Sequence, residues 1–202
     1  MRLMSGVLTF ILLAFVFTQA GEIKLGAPAP DFTLKDAEGK AHQLSDYRGK
    51  IVVLEWVNYG CPFVKKFYNS GTMQALQKKY TEKGVVWISI CSSAPGKQGH
   101  YAPEKIRELK KEKGAFYTAY LIDEEGTVGR LYGAKTTPHM FIIDPDGNLV
   151  YAGAIDDQPS SKQSSLKNAR NYLSETLDKM LQNQPVKPFM TKPYGCSVKY
   201  KK

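Results

Sequence analysis

Cysteine is scarce in this sequence of 202 residues, which contains only Cys61, Cys91 and Cys196. Three thiols are too few for a disulfide-stapled scaffold, so that class of small secreted fold is excluded. In an oxidising compartment they permit one disulfide and leave one free thiol. Because the count is odd and one thiol lies in an activating position, the sequence indicates redox chemistry rather than structural cross-linking.

The sequence also lacks an apolar run long enough to make a good membrane span. Its apolar stretch from about Val7 to Phe17 is short, follows Arg2 and ends in small residues. This pattern is typical of a secretory signal peptide, with an uncleaved anchor as the alternative. We therefore expect a signal peptide over residues 1–20 that is cleaved after Ala20. We also expect export, to a bacterial periplasm, with no stable membrane insertion after cleavage.

No internal repeat or second domain is evident in the remaining sequence. The expected mature chain has about 182 residues, a length that suits one compact domain. We predict a single domain over residues 21–184 and an extended basic tail over residues 185–202. Helix is precluded in the tail by its three prolines, Pro185, Pro188 and Pro193.

Acidic residues are absent from the tail, although the whole sequence has a formal net charge of +9. A basic tail can contact nucleic acid or an anionic membrane surface. No aromatic-stacking or groove-reading module accompanies it, so we predict no nucleic-acid partner. We interpret the tail as a solubilising terminus with five lysines: Lys187, Lys192, Lys199, Lys201 and Lys202.

The most informative residue is Cys61, which lies between a predicted strand and a predicted helix. Residues 51–57 are mostly apolar and β-branched, as in a buried strand. Pro62 suits the first position of a helix, because its fixed φ fits there and its missing N–H is no loss. Cys61 would then cap the helix, where unpaired amide N–H groups and the helix dipole favour a thiolate. The sequence therefore predicts a reactive thiolate at Cys61.

Strands and helices alternate along the rest of the sequence. The predicted strands cover residues 51–57, 85–90, 116–122, 140–143 and 148–152. The predicted helices cover residues 62–83, with a weak point at Ser70 and Gly71, and then 104–113 and 160–184. This order predicts an α/β fold with a mixed central sheet, helices on both faces and an N-terminal β-hairpin around Gly39. Cys91 ends the second core strand, so it should lie on the same sheet edge as Cys61.

Two segments resemble a known family. The segment 26–34, Gly-Ala-Pro-Ala-Pro-Asp-Phe-Thr-Leu, is similar to the entry segment of redoxins. Residues 123–147, with Thr137-Pro138 and Asp-Pro-Asp-Gly at 144–147, are similar to the second half of exported thioredoxin-like proteins. The sequence thus resembles the thioredoxin fold and its peroxiredoxin-like branch. The resemblance implies that Pro138 is a cis-proline facing Cys61, where Thr137 and Pro138 bind an extended or thiol substrate.

The active motif departs from both parent families. Thioredoxins carry a second cysteine three positions after the first, where this sequence has Val64, so a local two-cysteine cycle is excluded. Peroxiredoxins place a hydroxyl residue three positions before the cysteine and a proline four positions earlier. Here those positions hold Asn58 and Leu54. We expect Asn58 to hydrogen-bond substrate in place of the missing hydroxyl.

Two cysteines compete as the partner of Cys61. Cys196 lies in a tail that is otherwise flexible, and an exposed free thiol is a liability in an exported protein. We therefore predict that Cys196 resolves Cys61 by forming a disulfide with it. Cys91 ends an apolar strand and is interpreted as a core residue, with the partner role as its alternative.

Four polar residues are auxiliary candidates. His139 is interpreted as a hydrogen-bonded strand histidine, with thiolate stabilisation or copper binding beside Cys61 as alternatives. Glu55 is either a proton shuttle or a paired core charge, and both readings stay open. Lys65 and Lys66 are interpreted as solvated lysines that lower the pKa of the thiol only slightly.

The first functional hypothesis is a thiol-dependent oxidoreductase. Cys61 attacks a peroxide or a disulfide, and Cys196 resolves the product. Family resemblance favours the antioxidant version. The alternatives are a non-catalytic thioredoxin-fold module, either a thiol chaperone or a metal carrier using Cys61 and His139, and a pseudoenzyme with a structural disulfide. For the enzyme we predict no metal, no cofactor, a peroxide or thiol/disulfide-protein substrate and an unidentified electron donor.

Overall fold

The structure, a computed structural model, describes residues 23–202. The predicted signal peptide over residues 1–20 lies outside this range. Among the described residues, no helix combines the length and apolar character needed to cross a membrane.

The chain folds into strands and helices in the predicted alternating order. The strands are β1 (Thr33–Asp36), β2 (Ala41–Gln43), β3 (Val52–Trp56), β4 (Val86–Cys91), β5 (Ala119–Ile122), β6 (Thr136–Thr137), β7 (His139–Ile143), β8 (Leu149–Gly153), β9 (Phe189–Met190) and β10 (Cys196–Ser197). The α-helices are α1 (Pro62–Asn69), α2 (Thr72–Thr81), α3 (Pro103–Lys113), α4 (Thr127–Leu131) and α5 (Tyr172–Leu181). Short 3₁₀ helices cover Leu44–Tyr47 and Gln163–Asn168.

One mixed sheet carries most of the fold. Its strand order is β2-β1-β5-β4-β3-β7-β8-β9, while β10 pairs with β6 in a separate two-stranded sheet. β3 runs parallel to β4, β4 runs parallel to β5, and β7 is antiparallel to β3. The carboxyl ends of the parallel strands therefore share one edge, where functional groups gather in such sheets. Cys61 follows β3 at this edge, and Cys91 ends β4.

Alternate residues of the central strands face two separate cores. Val53 of β3 packs in one core, whereas Val52 and Leu54 pack in the other, as the two-residue period of a strand requires. Helices α1, α2, α3 and α5 contribute to the first core, and α4 contributes to the second. The antiparallel pairing of β1 and β2 supplies the N-terminal hairpin. The predicted α/β class, with helices on both faces of a mixed sheet, is confirmed.

The helix predicted over residues 62–83 is two helices. Gly71 adopts φ +76°, a left-handed conformation that glycine reaches without strain, and it caps the start of α2. The weak point expected at Ser70 and Gly71 is therefore a full break between α1 and α2.

Two other predicted elements are shorter than expected. The helix predicted over residues 160–184 is interrupted before α5. The N–H of Asp157 donates to the carbonyl of Arg170, and the N–H of Arg170 donates to the side-chain carboxylate of Asp157. Asn171 then caps α5, because its side-chain oxygen accepts from the N–H of Ser174. The strand predicted from residue 116 begins at residue 119. Phe116 precedes it, half exposed, with its N–H bonded to the side chain of Gln77.

Candidate active site

Cys61 occupies the predicted position between a strand and a helix. It is the N-cap of α1 with an extended backbone, and Pro62 is the first helical residue. Its N–H donates to the carbonyl of Asn58 and its carbonyl accepts from the N–H of Lys65, both at 2.9 Å. These bonds close the turn after β3 and start the helix, so the sulfur is held at the helix N-terminus.

The sulfur of Cys61 contacts two groups from distant parts of the chain. Its Sγ atom lies 2.6 Å from Sγ of Cys196 and 3.1 Å from the carbonyl oxygen of Thr137. The peptide bond between Thr137 and Pro138 is cis. Strand β10 pairs with β6 so that Cys196 lies opposite Thr137. The structure thus brings together the two cysteines, Thr137 and Pro138, which the sequence predicted as site residues.

The three thiols differ in electrostatics. Burial opposes ionisation of Cys61, but hydrogen bonds from the Cys196 thiol and the Val64 N–H outweigh it and hold the pKa of Cys61 below its ordinary value. Burial, together with the neighbouring Cys61 thiolate, raises the pKa of Cys196 to about 11. Burial also raises the pKa of Cys91. Of the three thiols, Cys61 is therefore the one whose ionisation its surroundings favour, and the Cys196 thiol is its hydrogen-bond donor.

Accessibility corrects one expectation. A reactive thiolate of the kind predicted at Cys61 is expected to be exposed, yet this residue is 0% exposed, whereas Cys196 is partly exposed. The tail covers Cys61, because Cys196 and its neighbours lie directly over the sulfur. A reagent or substrate reaches Cys61 only when this part of the tail moves aside.

The tail is extended, as predicted, but it packs along its length instead of being flexible. Strand β9 pairs with β8, and the carbonyl of Lys199 accepts from the N–H of Ala94. The Tyr200 hydroxyl donates to the carbonyl of Ala134 at 2.7 Å. Lys201 forms an ion pair with Glu125 at 2.9 Å, so one tail lysine has an acidic partner on the domain.

Lys66 is buried, although the sequence predicted a solvated lysine. Its ammonium lies 3.4 Å from the carboxylate of Asp156 and 3.0 Å from the carbonyl of Gln158. It also donates to the hydroxyl of Tyr194 at 3.0 Å, and this hydroxyl donates to Asp156. Burial lowers the pKa of Lys66, and the charge of Asp156 opposes that shift. A charged pair therefore anchors the tail two residues before Cys196.

The sequence interpretation missed Asp156 and Tyr194 as site residues and misjudged Lys66. A signal for Lys66 was present, since Phe63, Lys66 and Phe67 share one face of α1 by helical spacing. A lysine in an apolar stripe requires a buried partner. No comparable local pattern identified Asp156 or Tyr194. Lys65 is exposed, as predicted.

Asn58 shapes the loop beside Cys61. Its side-chain N–H₂ donates to the carbonyl of Gln98 at 3.1 Å, and its side-chain oxygen accepts from the N–H of Gly60 at 2.8 Å. A Cβ added at Gly99 would lie 2.6 Å from Asn58, so the loop after β4 packs directly on this amide. Both the nitrogen and the oxygen of the amide therefore form hydrogen bonds within the protein. These bonds fix the turn that precedes Cys61.

Cys91 is buried in the same apolar core as Cys61. Its thiol donates to the carbonyl of Gly99 at 3.2 Å. Among the described residues, the sulfur in contact with Cys61 is that of Cys196, so the geometry favours Cys196 over Cys91 as the partner.

Glu55 is held by neutral donors instead of a cation. Its carboxylate accepts hydrogen bonds from four side chains, at distances of 2.8–3.1 Å: Tyr68, Gln77, Trp87 and Ser89. Burial raises the pKa of Glu55, and these donors oppose that shift. Within the described part of the chain no ion pair involves Glu55, so it is not a paired core charge. It is a buried carboxylate that links β3, β4, α1 and α2.

His139 lies on the opposite face of the sheet from Cys61. It pairs with Trp56 across β3 and β7, and its ring packs on Phe141 at a centroid distance of 4.4 Å, in the second core. Its Nδ1 atom accepts from the N–H of Lys135, as expected for a hydrogen-bonded strand histidine. Burial lowers its pKa to about 3. His139 also lines a cavity of about 780 Å³, and it does not combine with Cys61 as a ligand pair.

Comparisons with known proteins show what the sequence and fold of this chain are similar to. Residues 25–152 match the model of the AhpC/TSA family. The thiol-disulfide oxidoreductase ResA of Bacillus cereus is 28% identical over 148 residues, which cover 73% of this chain and 80% of the relative. An uncharacterised conserved protein from Geobacillus kaustophilus has a similar crystal structure, with 31% identity, a TM-score of 0.74 and coverage of 89% of this chain and 93% of that one.

The fold is also that of a thioredoxin domain. The thioredoxin domain of a thiol-disulfide oxidoreductase from Bacteroides vulgatus superposes with a TM-score of 0.56 at 18% identity, covering 79% of this chain and 99% of that domain. This similarity confirms the predicted thioredoxin-like fold.

Proposed function

We propose that this chain, which belongs to the AhpC/TSA family, is a thiol-disulfide oxidoreductase in which Cys61 is the nucleophile and Cys196 the resolving cysteine. The observation that carries the proposal is the contact at 2.6 Å between the two sulfurs at the N-terminus of α1. The resemblance to the oxidoreductase ResA supports the same reaction class.

The first step is attack on a substrate disulfide. The Cys61 thiolate bonds to one substrate sulfur, the substrate disulfide breaks, and the second substrate sulfur leaves as a thiolate. The product is a mixed disulfide between Cys61 and the substrate. The lowered pKa of Cys61 increases the fraction of its sulfur in the attacking thiolate form.

The second step releases the substrate. In the mixed disulfide Cys61 is no longer a thiolate, so its charge no longer opposes ionisation of Cys196. The Cys196 thiol then loses its proton, and its sulfur attacks Sγ of Cys61 with the substrate sulfur as the leaving group. The mixed disulfide breaks, the substrate leaves as a thiol, and a Cys61–Cys196 disulfide remains. The substrate gains two electrons and the protein loses two. An external thiol donor then reduces this disulfide and restores the resting pair.

Peroxide reduction is the second candidate, since a peroxide could oxidise Cys61 to a sulfenic acid that Cys196 condenses to the same disulfide with loss of water. The side chain at the position of the peroxide-binding hydroxyl is Asn58, and its amide is engaged by Gln98 and Gly60. This arrangement supports disulfide exchange over the antioxidant, peroxiredoxin-like reaction.

The test compares single cysteine variants on a disulfide substrate and on hydrogen peroxide, with intact mass spectrometry. Cys61→Ser should abolish both reactions. Cys196→Ser should stop at a trapped mixed disulfide with the substrate. Cys91→Ser is the matched control, since its buried thiol contacts Gly99, and it should keep full turnover. Full activity in Cys61→Ser would overturn the proposal, and faster oxidation by peroxide than by disulfide would favour the second candidate.

We propose in addition that the protein is exported after cleavage at Ala20 and acts on thiol or disulfide proteins in an oxidising compartment, as in a bacterial periplasm. The basis is the signal pattern over residues 1–20 and the need for a disulfide-permissive environment. N-terminal sequencing of the protein from the exported fraction should begin at Gly21. An intact Met1 in that fraction would contradict cleavage.

A further inference from the structure

We propose that strand β10 occupies the docking position of a protein substrate, and that this position selects an extended segment with the pattern Tyr-Gly-Cys. The inference rests on the exchange activity proposed above and defines the substrate class of the same site. The Tyr194-Gly195-Cys196 segment of the chain's own tail is the bound example from which the selection is derived.

The space around Cys61 forces a substrate sulfur into the position of Cys196. Cys61 is fully buried, and its sulfur contacts Cys196 on one side and the carbonyl of Thr137 on another. A substrate sulfur must come within bonding distance of Sγ of Cys61. The tail covers that approach, so a substrate can bind at this position only when the tail has left it.

Strand β6 provides the backbone edge to which β10 is bound. β6 pairs with β10 through Thr137 opposite Cys196 and Thr136 opposite Ser197. Within residues 23–202, β10 is the only strand paired with β6. When the tail leaves, two residues of strand edge become free for an extended segment, as in peptide recognition by strand addition.

The residue before the cysteine must be glycine. Gly195 has φ +145°, and a Cβ added there would lie 2.1 Å from the carbonyl oxygen of Thr137. Backbone atoms of β6 do not yield as a flexible side chain would. A segment bound in this register therefore has glycine at the position before its reactive cysteine.

The residue two positions before the cysteine must be an aromatic residue with a hydroxyl. The Tyr194 ring meets Phe63 edge-on at 5.8 Å between centroids, and the Lys66 ammonium lies 5.0 Å from its centre. The hydroxyl accepts from Lys66 and donates to Asp156. Phenylalanine would leave a buried charged pair without this partner, and sites built around a hydroxyl discriminate strongly against analogues that lack it.

The buried pair also has contacts that do not involve the tail. Lys66 lies 3.4 Å from Asp156 and 3.0 Å from the carbonyl of Gln158, and both partners belong to the domain. The tail therefore acts as an intramolecular competitor, which a substrate displaces and which returns Cys196 for resolution.

The test measures binding of a fluorescent peptide of residues 189–200 whose cysteine is replaced by serine. It compares full-length Cys196→Ser with full-length Cys196→Ser/Tyr194→Ala, in which the tail is loosened and the subsite residues are unchanged. The peptide should bind the loosened protein about tenfold or more tightly, the scale of losing hydrogen bonds to charged groups. Cys196→Ser/Tyr172→Ala is the matched control outside the tail and should bind like Cys196→Ser.

Peptide variants test the selection itself on the loosened protein. Replacing the peptide tyrosine by phenylalanine, or its glycine by alanine, should each weaken binding about tenfold or more. Equal binding of the three peptides, or equal binding to the loosened and unloosened proteins, would overturn the inference. Should Tyr194→Ala unfold the protein, Tyr194→Phe can replace it, since it removes only the hydroxyl. This variant should also bind the peptide more tightly than Cys196→Ser alone does.

The serine peptide carries no reactive sulfur, so its binding does not depend on exchange chemistry. Tight, selective binding with an inactive Cys61 would overturn the proposed function and keep the docking site. Active exchange without peptide selection would keep the proposed function and overturn the docking site.

Discussion

The ammonium of Lys66 and the carboxylate of Asp156 lie 3.4 Å apart, and their side chains are 0% and 1% exposed. The pair joins α1 to the segment after β8 and holds the hydroxyl of Tyr194. Removing two charges from water is costly, so such a pair persists only where further hydrogen bonds satisfy it. Here those bonds connect the domain to the tail that delivers Cys196.

Lys66→Met should destabilise the protein by about 3–5 kcal/mol, because it leaves the Asp156 carboxylate buried without its cation. Urea unfolding of the reduced protein measures the change. The matched control is Lys79→Met, whose partner Asp178 lies 2.8 Å away on the surface and which should cost about 0–1 kcal/mol. A similar, small loss in both variants would show that Lys66 is solvated and unpaired in solution.

Gly195→Ala should weaken the Cys61–Cys196 disulfide by about tenfold in its equilibrium constant with glutathione. The added Cβ would meet the carbonyl oxygen of Thr137 at 2.1 Å, so β10 must move away from β6 and carry Cys196 with it. A tenfold change corresponds to about 1.4 kcal/mol. Redox titration with thiol trapping measures the constant.

The control for this variant is Gly39→Ala. Gly39 has a positive φ of +82° but no atom within 4 Å of an added Cβ, so it reports backbone strain without the steric contact. It lies in the β1–β2 hairpin and should leave the equilibrium constant unchanged. An unchanged constant in Gly195→Ala would mean that the tail does not dock as described.

The sequence predicted the parts of this site that depend on local pattern. A buried strand, a turn and Pro62 place Cys61 at a helix start, and each of these signals lies within a dozen residues of the sulfur. The proline at 138 and its cis peptide bond followed from family resemblance. The mixed sheet with helices on both faces also followed, because alternating strands and helices leave few arrangements.

The packing of the tail was not predictable in the same way. The hydroxyl of Tyr194 meets Lys66 and Asp156, which are 128 and 38 positions away in sequence. No periodicity encodes contacts at such separations, and three prolines made the segment look merely extended. The burial of Cys61 was missed for the same reason, since the atoms that cover it belong to the tail.

Cys196→Ala should raise the pKa of Cys61. In the native pair, burial opposes ionisation, and the Cys196 thiol is the foremost donor that stabilises the Cys61 thiolate. Without that donor the balance moves toward the neutral thiol, and the midpoint of ionisation moves to higher pH. Ultraviolet absorption of the thiolate as a function of pH measures the midpoint, in a Cys91→Ser background so that only Cys61 and Cys196 contribute. A midpoint that stays the same or falls would contradict the assigned hydrogen bond.

Acid should destabilise the protein through His139. Burial, with a contribution from the charge of Lys135, lowers the pKa of His139 to about 3 in the folded protein, against about 6.5 in an unfolded chain. Between these values the unfolded chain binds a proton that the folded protein does not, so stability falls as pH falls from 6.5 toward 3. At pH 5 the loss relative to pH 7 should be about 2 kcal/mol.

His139→Asn isolates this effect, since asparagine offers an acceptor near Nδ1 for the N–H of Lys135 but takes up no proton. Urea unfolding at pH 7 and pH 5 should show a loss at pH 5 that is about 2 kcal/mol smaller in His139→Asn than in the wild type. His100→Asn, at a partly exposed histidine paired with Glu124, should leave the contribution of His139 in place. An equal loss in His139→Asn and the wild type would mean that His139 is accessible to protons in the folded protein, and the second core would then be open to water at this residue.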